Sequence, residues 1–341
     1  MTVFIDGRAA ARPELGGVER WARELCERLP ALRPGRYIVA RPPAWLAHRA
    51  GHAWEQAFLP LRARRAALLL GPANLAPVAF PRNVVVIHDA AVLRNPGWYS
   101  PSYARWHGAL LPALARRARR VITVSEFSAR ELRALVGVEA AVVPGGVDER
   151  FTPDADPGPA RAALGLDRDY VLTVASRIAR KNLGALSAAA QRLHARGIEL
   201  VAVGGERPQF RAATAGAAAG ATAAPRDLGR VPDAHLAGLY AGARAFVLPS
   251  LYEGFGLPCV EAMACGTPVV AADAAALPET CGDAALYADP RDPGAIADAI
   301  EAALEPETAG RLRAAGLRRA AAFSWDRTVR GVDAVIDDVL R

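Results

Sequence analysis

The most informative segment of the chain is LPSLYEGFGLPCVEAMACGTPVVAAD, residues 248–273. It reads as the end of a buried strand, then a glycine-rich turn, then a helix that begins near Pro258. Gly254 and Gly256 let the backbone approach a ligand closely, and the N–H groups of the turn and of the first helical residues attract an anion. This order of elements predicts a diphosphate-binding site in an α/β domain.

The alternation of strands and helices continues on both sides of this stretch. Apolar runs predict strands at 3–6, 37–40, 84–88, 121–125, 170–175, 199–203, 245–248 and 268–271. Residues 144–159, PGGVDERFTPDADPGP, have the composition of a linker. The sequence therefore predicts two doubly wound α/β domains, 1–150 and 151–325, and a last helix at 326–341. The alanine-rich stretch 212–224 is interpreted as helix and loop.

Two glutamates lie on either side of the glycine-rich turn. Glu253 is on the loop at the end of the strand, and Glu261 is about one turn into the helix. A carboxylate accepts hydrogen bonds from two vicinal hydroxyls, so the pair suits the ribose and the sugar of one ligand. A role for Glu261 in capping or pairing on its own helix explains its position equally well.

A second cluster, ASRIARKNLGAL at 175–186, also lies between a strand and a helix. Arg177 and Lys181 place two cations at the carboxyl end of the strand. They suit a pyrophosphate and the charge that develops on a departing nucleoside diphosphate. Lys181 is the only lysine of the chain.

Together these motifs resemble the retaining glycosyltransferases of family 4, which have the GT-B fold and include bacterial mannosyltransferases and sucrose synthases. The resemblance covers nearly the whole chain. It is carried by Glu253 and Glu261 with GFGLP between them, Arg177 and Lys181 in RIARKN, Gly16 and Gly17 in ELGGVERW, and the segments that begin at His88 and Val121.

The resemblance implies two Rossmann-like domains that face a central cleft. The acceptor would bind to 1–150 and the nucleotide sugar to 151–325, and helix 326–341 would cross back to the first domain. Gly17, on the loop after the first strand, would approach the phosphate or the acceptor. His88 would line the reaction centre, although a histidine at a strand end is otherwise often a packed core residue.

The donor site follows from the same resemblance. Arg177 and Lys181 would hold the diphosphate, Glu261 would bind the ribose hydroxyls, and Glu253 would contact the transferred sugar. His88, Glu253, Arg177 and Lys181 form the implied catalytic set. The backbone groups that would assist in binding the diphosphate belong to Gly254, Phe255, Gly256 and Leu257.

The implied activity is that of a hexosyltransferase, which moves mannose from GDP-mannose to a glycan, glycolipid or small-molecule acceptor. Since no carboxylate is placed as a nucleophile, retention favours same-face attack with the leaving phosphate taking the proton. The Asp154–Asp156 and Asp167–Asp169 pairs precede a strand rather than follow one, so no metal or other cofactor is expected. A sugar-nucleotide epimerase, a phosphorylase using Lys181 for pyridoxal, and a non-catalytic nucleotide-sugar-binding protein are the alternatives.

The composition limits the cellular context. No apolar run reaches the roughly 18 residues of a membrane span, and the N-terminus lacks a signal-peptide pattern, so a cytoplasmic protein is expected. The four cysteines show no CxxC spacing, which argues against disulfides and structural zinc.

Positive charge is concentrated in the first half. Residues 1–150 hold 22 arginines and 12 acids, a net +10, whereas residues 151–341 carry −3. This favours an anionic partner, either a membrane surface or a phosphate-bearing acceptor, and nucleic acid is not expected because its motifs are absent. The helix at 110–121, apolar on one side and basic on the other, suits contact with the inner face of the membrane. Solvated helix faces and packing on the domain's own sheet explain the same pattern.

Overall fold

The computed structural model of the chain describes residues 1–12, 16–43, 51–205 and 224–341. The described strands form two six-stranded sheets in which every pairing is parallel. The chain divides into two compact units. Unit 1 contains Met1–Pro96, Pro101–Gly146 and Trp325–Arg341, and unit 2 contains Gly97–Ser100 and Val147–Ser324. The predicted α/β class with two doubly wound sheets is confirmed.

Unit 1 is built on a sheet with the strand order β2-β1-β3-β4-β5-β6. Its strands are β1 Val3–Asp6, β2 Tyr37–Ala40, β3 Leu68–Gly71, β4 Asn83–Val86, β5 Arg120–Thr123 and β6 Ala140–Val142. Its first helices are α1 Gly17–Leu32, α2 Gly51–Ala53, a π-helical turn Trp54–Phe58, and α3 Leu59–Arg62. The others are α4 Ala91–Arg94, α5 Pro101–Arg117 and α6 Glu126–Val136. The central strands β3 and β4 are buried at every residue, which explains why they are apolar throughout except for Asn83 at the start of β4.

Unit 2 has the strand order β12-β11-β10-β7-β8-β9. Its strands are β7 Tyr170–Val174, β8 Glu199–Val203, β9 Arg226–Asp227, β10 Ala245–Leu248, β11 Val269–Ala272 and β12 Ala285–Ala288. Its helices begin with α7 Gly158–Leu164, α8 Ser187–Ala195, α9 Asp233–Ala241 and α10 Leu257–Ala264. They end with α11 Leu277–Cys281, α12 Pro293–Leu304 and α13 Pro306–Ala320. The alanine-rich stretch 212–224 lies outside the described residues except for Ala224.

The last helix, α14 Trp325–Leu340, belongs to unit 1 and packs on α1. Asp333 of α14 is buried, and it accepts hydrogen bonds from the Tyr37 hydroxyl at 2.5 Å and from Arg33 Nε at 2.8 Å. Buried carboxylates need such partners, because an unpaired charge in the interior is costly. These contacts hold the end of the chain on the first unit.

The strand orders place one reversal in each sheet. In unit 2 the chain continues from β7 to β8 and β9 on one side and then returns to β10 on the other side of β7. In unit 1 the same reversal occurs between β1 and β3. Ligands of doubly wound sheets bind at the carboxyl ends of the strands beside such a reversal. In unit 2 the two segments that follow β7 and β10 are therefore the ones to examine.

Candidate active site

The turn between β10 and α10 depends on one glycine. Gly256 has φ +96°, and a Cβ atom at this residue would lie 2.5 Å from Cδ2 of Leu277. Its carbonyl accepts a hydrogen bond from the N–H of Cys259 at 2.9 Å, which starts the helix. Phe255 packs edge-on against Phe323 with a centroid distance of 5.3 Å. The turn is thus fixed with the N-terminus of α10 at the carboxyl end of β10, where backbone N–H groups favour an anion.

A partly buried ion pair joins the segments that follow β7 and β10. The Lys181 ammonium pairs with Oε1 of Glu253, and Nη1 of Arg180 lies 3.4 Å from Oε2 of the same carboxylate. Burial would raise the pKa of Glu253, but Lys181 and Arg180 hold it below its ordinary value. The structure therefore brings together Lys181 and Glu253, two of the residues that the sequence predicts for the site.

The two segments are also joined through their backbones. Arg180 donates from Nη1 to the Tyr252 carbonyl at 2.9 Å, and its own carbonyl accepts from the N–H of Leu251 at 2.8 Å. Asn182 has φ +57°, and its Nδ2 donates to the carbonyls of Pro249 at 3.1 Å and Pro290 at 2.7 Å. Asn182 and Arg180 thereby fix the loop that carries Lys181.

Sequence reasoning did not assign a role to Arg180 or Asn182. Both lie inside the motif RIARKN, but spacing alone does not tell which of its polar side chains turn towards β10. The presence of a third cation between Arg177 and Lys181 was the available signal.

Arg177 points to a different partner from Lys181. Its Nη2 lies 2.5 Å from Oδ2 of Asp227 at the end of β9, and both side chains are partly exposed. Its backbone N–H donates to the carbonyl of Gly205 at 3.2 Å. The structure therefore places Arg177 on the β8–β9 side of β7 and Lys181 on the β10 side.

Glu261 lies on the buried face of α10. Oε2 accepts a hydrogen bond from the hydroxyl of Tyr240 at 2.9 Å, and the residue is 5% exposed. This is the pairing that the sequence left open for Glu261. Its role in ribose binding stays a prediction, as do the roles of the turn residues Gly254, Phe255, Gly256 and Leu257.

His88 follows β4 in unit 1 and is almost wholly buried. Its N–H donates to Oδ1 of Asn74 at 2.7 Å, and ring Nε2 lies 3.0 Å from the Pro72 carbonyl. Trp21 packs edge-on against the ring at 5.3 Å. Burial lowers the pKa of His88, so the ring is neutral with its proton on Nε2, and Nδ1 remains as an acceptor. In this state His88 can accept a hydrogen bond from a sugar hydroxyl but cannot donate one.

Gly17 is the first residue of α1 rather than part of the preceding loop. The N–H of Gly16 is capped by Oε2 of Glu19 at 3.0 Å. Among the described residues, no atom lies within 4 Å of where a Cβ atom at Gly17 would be. The packing of that part of the chain therefore does not require a glycine at this residue.

A buried charged cluster at the end of β1 was not found from the sequence. Nε of Arg8 lies 2.6 Å from Oε2 of Glu55, and the backbone N–H of Arg8 donates to Oδ1 of Asp6 at 2.9 Å. Burial and the neighbouring Glu55 raise the pKa of Asp6 to about 8. Burial acts in the same direction on Glu55, but Arg8 and His52 lower its pKa to about 2. The two carboxyl groups are therefore shifted in opposite directions, and Glu55 is the one whose charge is paired with Arg8.

The acidic pairs considered for a metal lie on the surface. Asp154, Asp156, Asp167 and Asp169 are all exposed. Asp169 pairs with Arg244 at 2.7 Å, and Asp156 caps the backbone N–H of Gly158 at 2.9 Å. Within the described ranges no three His, Cys, Asp or Glu side chains are grouped so that they could hold a metal ion.

Comparison with known proteins identifies the family of the chain. Residues 15–151 match the family model described as Glycosyltransferase Family 4, and residues 168–306 match Glycosyl transferases group 1. An O-antigen chain mannosyltransferase B of Escherichia coli is 33% identical over 307 residues, 85% of this chain and 79% of that protein. The chain belongs to glycosyltransferase family 4. It is accordingly a hexosyltransferase of EC class 2.4.

Another relative and two solved structures are also similar to the chain. An MMP alpha-(1->4)-mannosyltransferase of Mycolicibacterium hassiacum is 31% identical over 79% of this chain and 68% of its own length. A sucrose-phosphate synthase of Thermosynechococcus elongatus has a TM-score of 0.78 at 23% identity over 99% of both chains. Anabaena HepE in complex with UDP-glucose has a TM-score of 0.75 at 19% identity, over 99% of this chain and 100% of HepE. These structures establish the GT-B fold of the chain.

Alanine substitutions at Gly256 and Gly17 distinguish a glycine that the fold requires from one that ligand binding requires. Gly256→Ala should lower Tm by about 2–10 °C, because φ is +96° there and Leu277 blocks the methyl group. Gly17→Ala should leave Tm unchanged or slightly higher, because alanine favours a helix and the space is open. If a phosphate or an acceptor approaches Gly17, kcat/KM should still fall by roughly ten- to a hundredfold. Full activity in Gly17→Ala would exclude that role.

Proposed function

We propose that this family 4 enzyme transfers mannose from GDP-mannose to a sugar-containing acceptor with retention of the anomeric configuration. The observation that carries the proposal is the partly buried Lys181–Glu253 pair, with Arg180 beside it, at the reversal between β7 and β10. The choice of mannose is supported by the two relatives named above as mannosyltransferases.

The cations supply what a nucleoside-diphosphate leaving group needs. Lys181 and Arg180 lie at the carboxyl end of β7, and the N-terminus of α10 lies at the carboxyl end of β10. When the bond between the sugar and the diphosphate breaks, negative charge grows on the diphosphate oxygens. Fixed cations and N–H groups in a partly buried place stabilise that charge, because they need no reorganisation during the reaction.

Glu253 has a second task in this proposal. Its carboxylate is kept ionised by Lys181 and Arg180, so it can accept hydrogen bonds from sugar hydroxyls. A diphosphate that draws Lys181 to itself would free Glu253 for the transferred sugar. Donor binding would then replace the internal ion pair by two contacts with the ligand.

The proposed transfer needs no covalent enzyme intermediate. The acceptor oxygen forms a bond to the anomeric carbon on the face from which the diphosphate leaves. The acceptor proton passes to an oxygen of the departing diphosphate. In the proposed reaction no carboxylate of the protein acts as a nucleophile and no metal ion takes part.

The acceptor is a glycan, a glycolipid or a small sugar-containing molecule. A lipid-linked acceptor would require unit 1 to work at the inner face of the membrane, in agreement with its excess of arginine. The pyridoxal chemistry of a phosphorylase is disfavoured, because a Schiff base needs a neutral amine and Glu253 stabilises the charged form of Lys181.

Thermal-shift titration identifies the donor. GDP and GDP-mannose should raise Tm more than UDP, UDP-glucose or ADP, because a ligand that binds the native state stabilises it. Lys181→Ala should abolish the shift, while Arg168→Ala, which removes an exposed arginine from the same unit, should retain it. A larger shift with a uridine donor would overturn the choice of GDP-mannose. Shifts that survive in Lys181→Ala would overturn the site.

A turnover assay followed by NMR tests the chemistry. The product should have the anomeric configuration of the donor, and the rate should be unchanged in excess EDTA. Loss of turnover with EDTA and its recovery on addition of Mg²⁺ or Mn²⁺ would show that a metal is required. An inverted product, or a trapped glycosyl-enzyme, would contradict same-face transfer.

A further inference from the structure

The helical segment 51–62 of unit 1 exposes two large apolar side chains. Phe58 is 55% exposed and Leu61 is 68% exposed. Arg62, Arg64 and Arg65 are exposed directly after them. We call these five residues the Phe58 face. Large apolar side chains that lie together on a surface, with charged neighbours, are typical of an interaction site.

The exposure of the Phe58 face is enforced by other residues of the same segment. Trp54, Glu55 and Leu59 are buried. Glu55 is paired with Arg8, and Gln56 donates from Nε2 to the carbonyl of Ala76 at 3.0 Å. Rotation of the segment to bury Phe58 would expose Trp54 and break the buried ion pair, at a large cost. The fold therefore holds Phe58 and Leu61 towards solvent.

The chain that contains the Phe58 face carries charge of one sign over a long interval. No acidic residue occurs between Glu55 and Asp89, and this interval contains Arg62, Arg64 and Arg65. An apolar centre beside arginines fits a surface whose outer layer is anionic and whose interior is apolar. A symmetric dimer through this face would place these arginines against those of the second copy, which is unfavourable.

The helix that the sequence predicts at 110–121 is the end of α5, which stops at Arg117, and Arg120 and Val121 already belong to β5. The part of α5 in this stretch does not offer the same surface as the Phe58 face. In the stretch 110–121, Leu111, Leu114 and Ala115 are buried. The apolar side of this helix is thus explained by packing in its own unit, which was the alternative left open. Only its basic side, including Arg116 and Arg117, faces solvent.

We propose that the Phe58 face docks on a membrane surface that carries anionic phospholipids. Phe58 and Leu61 enter the boundary between headgroups and acyl chains, and the arginines pair with lipid phosphates. The contact would bring unit 1 to lipid-linked acceptors, but it does not depend on which donor the enzyme uses.

Vesicle co-sedimentation of the whole chain, without donor, tests the proposal. The protein should bind vesicles of phosphatidylcholine mixed with phosphatidylglycerol, but not vesicles of phosphatidylcholine alone, and added salt should weaken binding. Arg62→Gln/Arg65→Gln should reduce the affinity by roughly ten- to thirtyfold. Phe58→Ser/Leu61→Ser, which leaves the charge unchanged, should reduce it by at least roughly tenfold.

The matched control is Arg117→Gln/Arg119→Gln, which removes the same charge from exposed arginines elsewhere in unit 1. It should retain most of the binding. Equal loss in this control, or no binding by the unmodified protein, would overturn the proposal. A dimer that Phe58→Ser/Leu61→Ser converts to a monomer, with no vesicle binding, would assign the face to a second copy instead.

All of these variants change exposed side chains, so their Tm and the shift caused by nucleoside diphosphate should be those of the unmodified protein. A variant that keeps the nucleotide shift but loses vesicle binding separates docking from donor recognition. Failure of vesicle binding would therefore leave the proposed transfer reaction standing, and failure of nucleotide binding would leave the docking proposal standing.

Discussion

The ion pair between Lys181 and Glu253 is the interaction on which the proposed site depends. It joins the segments after β7 and β10, the two strands between which the order of the sheet reverses. Charged side chains are rarely buried without a partner, because the free energy lost when a charge leaves water exceeds the free energy gained by packing. In the proposed reaction Lys181 serves the diphosphate and Glu253 serves the hydroxyls of the transferred sugar, so that one donor uses both residues.

The sequence predicted this site because its signals are local. A strand, a glycine-rich turn and a helix follow one another in residues 248–273, and the position of Gly256 at φ +96° agrees with what only glycine adopts easily. The sequence assigned Lys181 and Glu253 to one ligand but did not predict that they pair, because the order of strands in the sheet is not a local signal. The partner of Arg177 was not predicted either, because Asp227 lies fifty residues away on a two-residue strand with no periodic signal.

Two other features were not predicted from the sequence, because their signals are not local either. Strand β3 lies in an apolar run without alternation, since both of its faces are buried, and periodicity gives no signal there. The cluster of Asp6, Arg8 and Glu55 unites residues almost fifty positions apart, and only the packing of segment 51–62 on the end of β1 brings them together. Its ion pair fixes which side of that segment faces solvent. The buried Arg8–Glu55 pair thus helps to determine which side chains of segment 51–62 are exposed on unit 1.

The most direct test of the account is the affinity for free nucleoside diphosphate, measured by titration calorimetry in a Lys181 and Glu253 double-mutant cycle. If the diphosphate takes Lys181 from Glu253, Glu253→Gln should bind more tightly than the unmodified protein, because the competing carboxylate is gone. Lys181→Met should bind more weakly, and adding Glu253→Gln to it should change little. Weaker binding in Glu253→Gln, or independent effects of the two substitutions, would contradict the claim that the pair is opened by the donor.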